Sequence, residues 1–197
     1  MNVTVADRRP DTNNQTQLGI VDCDVHPYTK TAADLDPFLS ERWRKHRQEI
    51  GARSRSPFSN APNYPRMSPF TGMRIDAHLK DGSHPGSDLG MMREQLLDLF
   101  NVSYGLMMPL LGRGSDERNV EFGAALASAA NDWEAQVWCD AEPRLKAGVQ
   151  IPLEHTEAAI KEIEKRAGDR RFTHVMIPPR GLGPVGRGRY WPILEAC

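Results

Sequence analysis

No apolar run in the chain approaches the ~18 residues a membrane span requires, which excludes a transmembrane helix. Cysteine is scarce, with three in 197 residues. Cys23, Cys139 and Cys197 are odd in number, far apart and form no Cys-x-x-Cys pair, so they read as free thiols rather than a disulfide framework or a structural zinc knot. Net charge is close to absent, −1 at pH 7. The local basic runs are balanced by nearby acids, which leaves no electrostatic case for nucleic acid. Residues 1–17 are polar, with Arg8, Arg9 and Pro10 where a signal peptide would carry its apolar core, and a cytoplasmic location is the expectation.

What is present is material for one globular domain: 39% hydrophobic and 26% charged residues. Residues 1–17, rich in Asn, Thr, Asp and Gln, read as a flexible tail, and residues 18–197 as the domain. Leu18-Gly19-Ile20-Val21-Asp22-Cys23-Asp24-Val25-His26-Pro27 opens it. Its first residues read as a buried strand, and Asp22, Asp24 and His26 then alternate before a proline stops regular pairing. Residues two apart in a strand share a face, so the three point the same way at the strand's carboxyl end. Asp24 and His26 together make a two-point clamp for a divalent ion such as zinc or manganese, which accepts carboxylate oxygen and imidazole nitrogen. The same residues also fit a turn-capping aspartate and a satisfied loop histidine.

Further along, Asp36-Pro37 predicts a helix N-cap and first turn, with the helix running to about residue 50. Residues 51–90 lose periodicity and carry many prolines, which predicts a long irregular loop, placed to overhang Asp24 and His26. Asp88 caps a helix through Phe100, Val102 to Met108 is a strand, and Ser115 or Asp116 opens a long helix to about Ala141. Leu145 to Ile151 is the next strand, followed by a helix from Leu153 to Ala167 with Gly168 at its end, and Phe172 to Ile177 is a further strand. His174, inside that strand, is expected to pack in the core. A Gly-rich loop leads to Tyr190–Cys197, which reads as two helical turns. Near-continuously apolar strands alternating four times with helices predict a parallel α/β sheet, part of a (β/α)₈ barrel.

Val21-Asp22-Cys23-Asp24-Val25-His26-Pro27 resembles the first strand of the amidohydrolase-related family, often called amidohydrolase 2. Phe172-Thr173-His174-Val175-Met176-Ile177-Pro178-Pro179-Arg180 and Arg189-Tyr190-Trp191-Pro192-Ile193-Leu194-Glu195-Ala196-Cys197 resemble its fourth strand and the following helix. The resemblance implies a metal-dependent (β/α)₈ enzyme, a hydrolase or decarboxylase acting on a small carboxylated, aromatic acid. It implies Asp24 and His26 as metal ligands where the family has His-x-His or Glu-x-His, an aspartate being the shorter arm. Arg180, at the carboxyl end of the fourth strand, has a planar fork suited to a substrate carboxylate, and equally reads as a surface loop arginine.

The metal histidine after the family's fifth strand, the catalytic histidine after its sixth and the metal aspartate after its eighth have no counterpart before Cys197. A whole barrel takes ~250 residues. The expectation is therefore the N-terminal half of the barrel, about four βα units with a long insertion after the first strand, inactive as the isolated chain. Its open edges predict self-association. The competing expectation is a non-catalytic half-barrel that docks on another chain through its exposed edge.

Overall fold

The computed structural model describes residues 18–53, 75–110, 114–178 and 181–197. Its centre is one four-stranded parallel sheet in the order β1-β2-β3-β4, formed by β1 (Ile20–Val25), β2 (Val102–Met107), β3 (Leu145–Gln150) and β4 (Phe172–Met176). The sequence-predicted strands are all present, each stopping where a proline, glutamine or histidine breaks the apolar run. Consecutive strands pair side by side in the same sense, which requires a crossover between each pair. Helices supply these crossovers, as in the first half of a (β/α)₈ barrel.

A 3-10 helix (Ala32–Phe38) and α1 (Glu41–Glu49) follow β1. The α-helix does not start at Asp36-Pro37 as the sequence predicts. Pro37 lies inside the 3-10 turn and Ser40 is the N-cap, because the Asp36 carboxylate is used instead by the Arg47 guanidinium across the turn. A short 3-10 turn at Ile75–Ala77 precedes α2 (Leu89–Met92), which widens into a π turn over Arg93–Leu97. Asp88 caps α2 as expected, its Oδ1 accepting from the Met91 amide at 2.8 Å.

The helix after β2, α3 (Val120–Trp133), starts later than the sequence predicts. Its cap is Asn119, whose Oδ1 accepts from the Phe122 amide at 3.1 Å. It also ends in a π turn, Glu134–Cys139. Next, α4 (Thr156–Arg166) begins at a His155 cap rather than at Leu153 and is followed by Gly168, in the left-handed conformation expected of a C-terminal glycine. After β4, a 3-10 turn (Gly188–Tyr190) leads into α5 (Trp191–Glu195). Among the described residues no helix is long and apolar enough to cross a membrane.

The core lies between the sheet and these helices. One cluster gathers Leu97, Met107, Phe122, Trp138, Leu145 and Ala147 around β2 and β3, and a second gathers Val149, Ile151, Leu153, Ile163, Tyr190 and Ile193 under β4. Polar groups inside it are paired with care. Asn131, fully buried on α3, donates to the Gln150 carbonyl at 2.9 Å and accepts from its amide at 2.7 Å, closing the end of β3. It also donates to Glu162, which Arg166 holds at 2.7 Å. Glu134 and the indole Nε1 of Trp138 are exceptions among the described residues. Both Glu134 carboxylate oxygens are buried without a hydrogen-bond partner, and burial drives the Glu134 pKa well above the ordinary value against the pull of Arg166. In the same π turn, burial and the nearby Glu134 push the Cys139 thiol up to about 12.

Candidate metal centre at the end of the first strand

Asp24 and His26 sit where β1 leaves the sheet, and the chain there is held by non-local bonds. Val25 is buried against the core, and its carbonyl accepts from the Met108 amide at 2.7 Å. One residue on, His26 Nδ1–H donates to the Met108 carbonyl at 2.7 Å. This reciprocal tie between the residue ends of β1 and β2 fixes the imidazole's tautomer and turns Nε2 outward, the arrangement that metal-ligating histidines commonly have. Nε2 lies 3.3 Å from Asp24 Oδ1. Two donors about 2.0–2.2 Å from one ion stand about 2.8–3.6 Å apart, so the two side chains converge at a separation a single ion can span.

Asp22 behaves differently from the expectation of three residues on one face. The pairing of β1 with β2 is irregular between Asp22 and Val25, and Asp22 Oδ1 turns back to accept from the Asp24 amide at 3.0 Å. Asp22 nevertheless borders the same cavity of about 290 Å³, with Asp24, His26, Asp88, Met91 and Phe100 around it. Asp22, Asp24 and Asp88 bring three carboxylates to its lining, which attract a cation and repel a carboxylated molecule unless a cation stands between them. Met91, Met92, Leu96 and Phe100 supply the cavity's apolar lining, beside Gln95.

The described end of the long loop after β1 does overhang this position. Gly86 adopts φ +80°, and a side chain there would collide with the His26 carbonyl at 2.6 Å, so only glycine lets the loop approach so closely. The Tyr28 amide donates to the Gly86 carbonyl at 2.9 Å, and the Tyr28 ring stacks on His84 with centroids 3.8 Å apart. Sequence reasoning missed His84, since nothing in the local pattern distinguishes it. Arg53, at the loop's start, donates through its backbone amide to Glu117 at 2.7 Å. Most of the loop's middle lies outside the described residues.

Among the described residues no group of three or more His, Cys, Asp or Glu side chains gathers where an ion could be held. His174 is not in the core as expected. It lies against Gly148 of β3 near the free edge of the sheet, half-buried, and desolvation lowers its pKa. Arg180 lies outside the described residues. A feature the sequence did not signal is Glu154, just past β3: its Oε1 accepts from the Leu182 amide at 2.7 Å and the Tyr190 hydroxyl at 2.8 Å, and its Oε2 from Arg189 at 2.7 Å. It pins the Gly-rich loop over the carboxyl ends of β3 and β4.

The same four strands and crossovers occur in solved structures. The chain superimposes on 5-carboxyvanillate decarboxylase of Novosphingobium aromaticivorans, a structure holding manganese and 3-methoxy-4-hydroxy-5-nitrobenzoic acid, with a TM-score of 0.57 and 15% identity over 89% of this chain and 47% of that one. It also superimposes on 2,6-dihydroxybenzoate decarboxylase from Rhizobium, with a TM-score of 0.53 and 15% identity over 90% of this chain and 46% of that one. At such identities the likeness is one of fold. The chain spans about half the length of these proteins. A comparison with curated proteins finds no match. The family model described as Amidohydrolase matches residues 21–197, beginning at the strand that carries Asp24 and His26 and running through all four βα units, and the chain belongs to the amidohydrolase family.

Proposed function

We propose that this chain carries the first half of a metal-dependent active site for hydrolysis or decarboxylation of a small aromatic acid, with Asp24 and His26 as its ligands to a divalent ion. The observation that carries the proposal is the His26 Nδ1–H bond to the Met108 carbonyl, which presents Nε2 beside Asp24 Oδ1. A carboxylate and a neutral imidazole suit manganese or zinc. Manganese in one structural relative, and the aromatic acids in the names of both, support the ion and the substrate class. When bound, the ion supplies a Lewis acid that neutralises the anionic wall and either acidifies a water or polarises substrate oxygens.

This chain's own residues position rather than react. Met108 and Gly86 clamp the exit of β1, so His26 keeps one tautomer and one orientation. Asp22, by bonding the Asp24 amide, stiffens the backbone that aims the neighbouring carboxylate. Glu154 holds the loop after β4, the segment that follows Arg180, and Arg180 is assigned to pair with a substrate carboxylate.

Two ligands hold an ion weakly, because a catalytic site of this kind takes about three protein ligands and an open position. The purified 197-residue chain is therefore expected to bind Mn²⁺ reversibly, to lose it on dialysis, and to leave hydroxybenzoates unchanged. A Mn²⁺ titration followed by electron paramagnetic resonance tests the ligands: binding is expected to disappear in His26→Ala and Asp24→Ala, and binding that persists in both would overturn the assignment. Turnover abolished by His26→Ala would overturn the expected inactivity.

A second reading is favoured by a separate observation. Leu18, Ile20 and Val21 stand exposed along the free edge of β1, as they would in a non-catalytic half-barrel that serves as a docking unit.

A further inference from the structure

We infer that the Gly-rich loop between β4 and α5 is an anion-recognition loop, in which Glu154 is the positioning residue and the Arg187 guanidinium is the contact for a ligand's carboxylate. The inference rests on the proposed function for one thing, that the ligand is a small carboxylic acid. The loop follows the carboxyl end of β4 and Glu154 follows that of β3. Both therefore stand at the end of the parallel sheet that carries Asp24 and His26.

The Glu154 side chain is 3% exposed, and a carboxylate so far from water is tolerated only when its oxygens are paired. All its partners come from this one loop. The Leu182 amide and the Tyr190 hydroxyl donate to Oε1 at 2.7 and 2.8 Å, and the Arg189 guanidinium donates to Oε2 at 2.7 Å. A backbone N–H, a phenol and a guanidinium are a donor set that suits a free carboxylate, and here the carboxylate is the protein's own. It ties the start of the loop to its end. The fit is close enough that a Cβ at Gly181 would stand 3.1 Å from Oε1 and 3.2 Å from the Tyr190 hydroxyl.

Glu154 also sorts the loop's two arginines. Arg189 is spent, its charge neutralised by Glu154 and its guanidinium 5.0 Å from the centre of the buried Tyr190 ring. Arg187 is exposed, and among the described residues its guanidinium meets no carboxylate and donates no hydrogen bond. It is nevertheless held in place. The Arg187 amide donates to the Pro184 carbonyl at 3.0 Å, and its carbonyl accepts from the Tyr190 amide at 2.9 Å. Its side chain lies over Gly183, where a Cβ would come 3.0 Å from Nη1 and 3.1 Å from Cζ, so the absence of a side chain at 183 makes the seat. A guanidinium with a fixed backbone and unspent donors is prepared for a planar contact with a carboxylate. Residues 181–190 contain no acid, so with Arg189 cancelled the loop keeps one net positive charge, that of Arg187.

The probe is benzoate, added in the presence of EDTA to the full ¹⁵N-labelled chain and followed by NMR through the Arg187 Nε–H signal and the loop amides. Saturable shifts are expected, and a parent chain without them would overturn the inference. Arg187→Gln is expected to weaken benzoate binding about tenfold or more, the loss of one charge-assisted contact, while the amide hydrogen exchange of residues 182–190 stays as in the parent. Unchanged affinity would overturn Arg187 as the contact. Glu154→Gln is expected to speed exchange across residues 182–190 and to weaken benzoate although Arg187 is intact, with the β2 amides showing that the fold is kept. Tyr190→Phe removes a single donor and is expected to do the same to a lesser degree. Loop exchange that ignores both substitutions would overturn the positioning role. Formate added to Glu154→Ala is expected to refill the vacated cradle and restore the loop's protection, a response that loss of packing alone does not give; a folded variant that formate leaves unprotected would overturn the cradle. Because EDTA removes the metal from this readout, a parent chain that binds benzoate but no Mn²⁺ would defeat the metal assignment and leave the loop's role standing.

Discussion

β1 and β3 are both six-residue parallel strands, Ile-Val-Asp-Cys-Asp-Val and Leu-Lys-Ala-Gly-Val-Gln, yet they end in opposite environments. The more apolar one is the more exposed. In β1 only Val25 is buried, whereas in β3 every residue but Lys146 is buried. The cause is position. β3 has a strand on each side and α3 and α4 over it, with Asn131 sealing its last backbone groups, while β1 has one neighbour and a free ladder. Hydrophobicity makes a strand available for burial, and topology decides whether anything covers it. The uncovered strand is also the one that carries Asp24 and His26, so the site and the open edge share one element.

This contrast can be broken at several points. The largest effect is expected in the covered strand: Leu145→Ala removes a fully buried side chain shared by the main cluster and should cost about 2–5 kcal/mol in a urea titration. The corresponding cut in the open strand, Val21→Ala, should cost under about 0.5 kcal/mol, because Val21 is exposed. Equal losses at the two positions would remove the distinction.

A smaller effect is expected behind β3, at Glu134. With its pKa raised by burial above the ordinary 4.5, the folded state keeps a proton that the unfolded chain releases. Its contribution is thus fully present below the unfolded value and is lost as pH rises through the window up to the folded one. Glu134→Gln keeps the neutral shape and removes that loss. The variant should match the parent below about pH 4.5 and exceed it increasingly above that, by about 1.4 kcal/mol for each further pH unit until the raised folded-state value is passed. A difference that does not change with pH, measured by denaturant titration at each pH, would show that Glu134 finds a partner.

The smallest stability effect belongs to the site. The Asp24 side chain is 72% exposed and among the described residues pairs with His26 at 3.3 Å, so Asp24→Ala should shift the denaturation midpoint by an amount equivalent to less than about 0.5 kcal/mol. It should nonetheless remove Mn²⁺ binding. A large loss of stability would make Asp24 a structural residue of the β1 exit instead.

Much of this was readable along the chain because it depends on neighbours in sequence. Strand periodicity, the Asp88 cap and Gly168 after α4 all follow from local backbone demands within a few residues. The errors arose where a distant group competed. Asp36 was expected to cap a helix, but Arg47 takes its carboxylate. His174 was placed in the core, but β4 is an edge strand and leaves it half covered. Asn131, Glu134 and Glu154 were invisible as special residues, since each draws its meaning from groups on other elements.

The amino-acid order by itself determined that four apolar strands would alternate with helices and that a carboxylate and an imidazole would stand two residues apart at the end of the first. Spacing, propensity and chain-breaking residues act over a few positions, and those are written in the order of side chains. Only the folded chain decided that the Met108 carbonyl, 82 residues away, would accept the His26 Nδ1–H hydrogen bond and aim Nε2 toward Asp24, and that β1 would have only one neighbouring strand among the described residues. Both depend on which strand comes to lie beside which, and that is settled by the packing of the whole sheet against its helices.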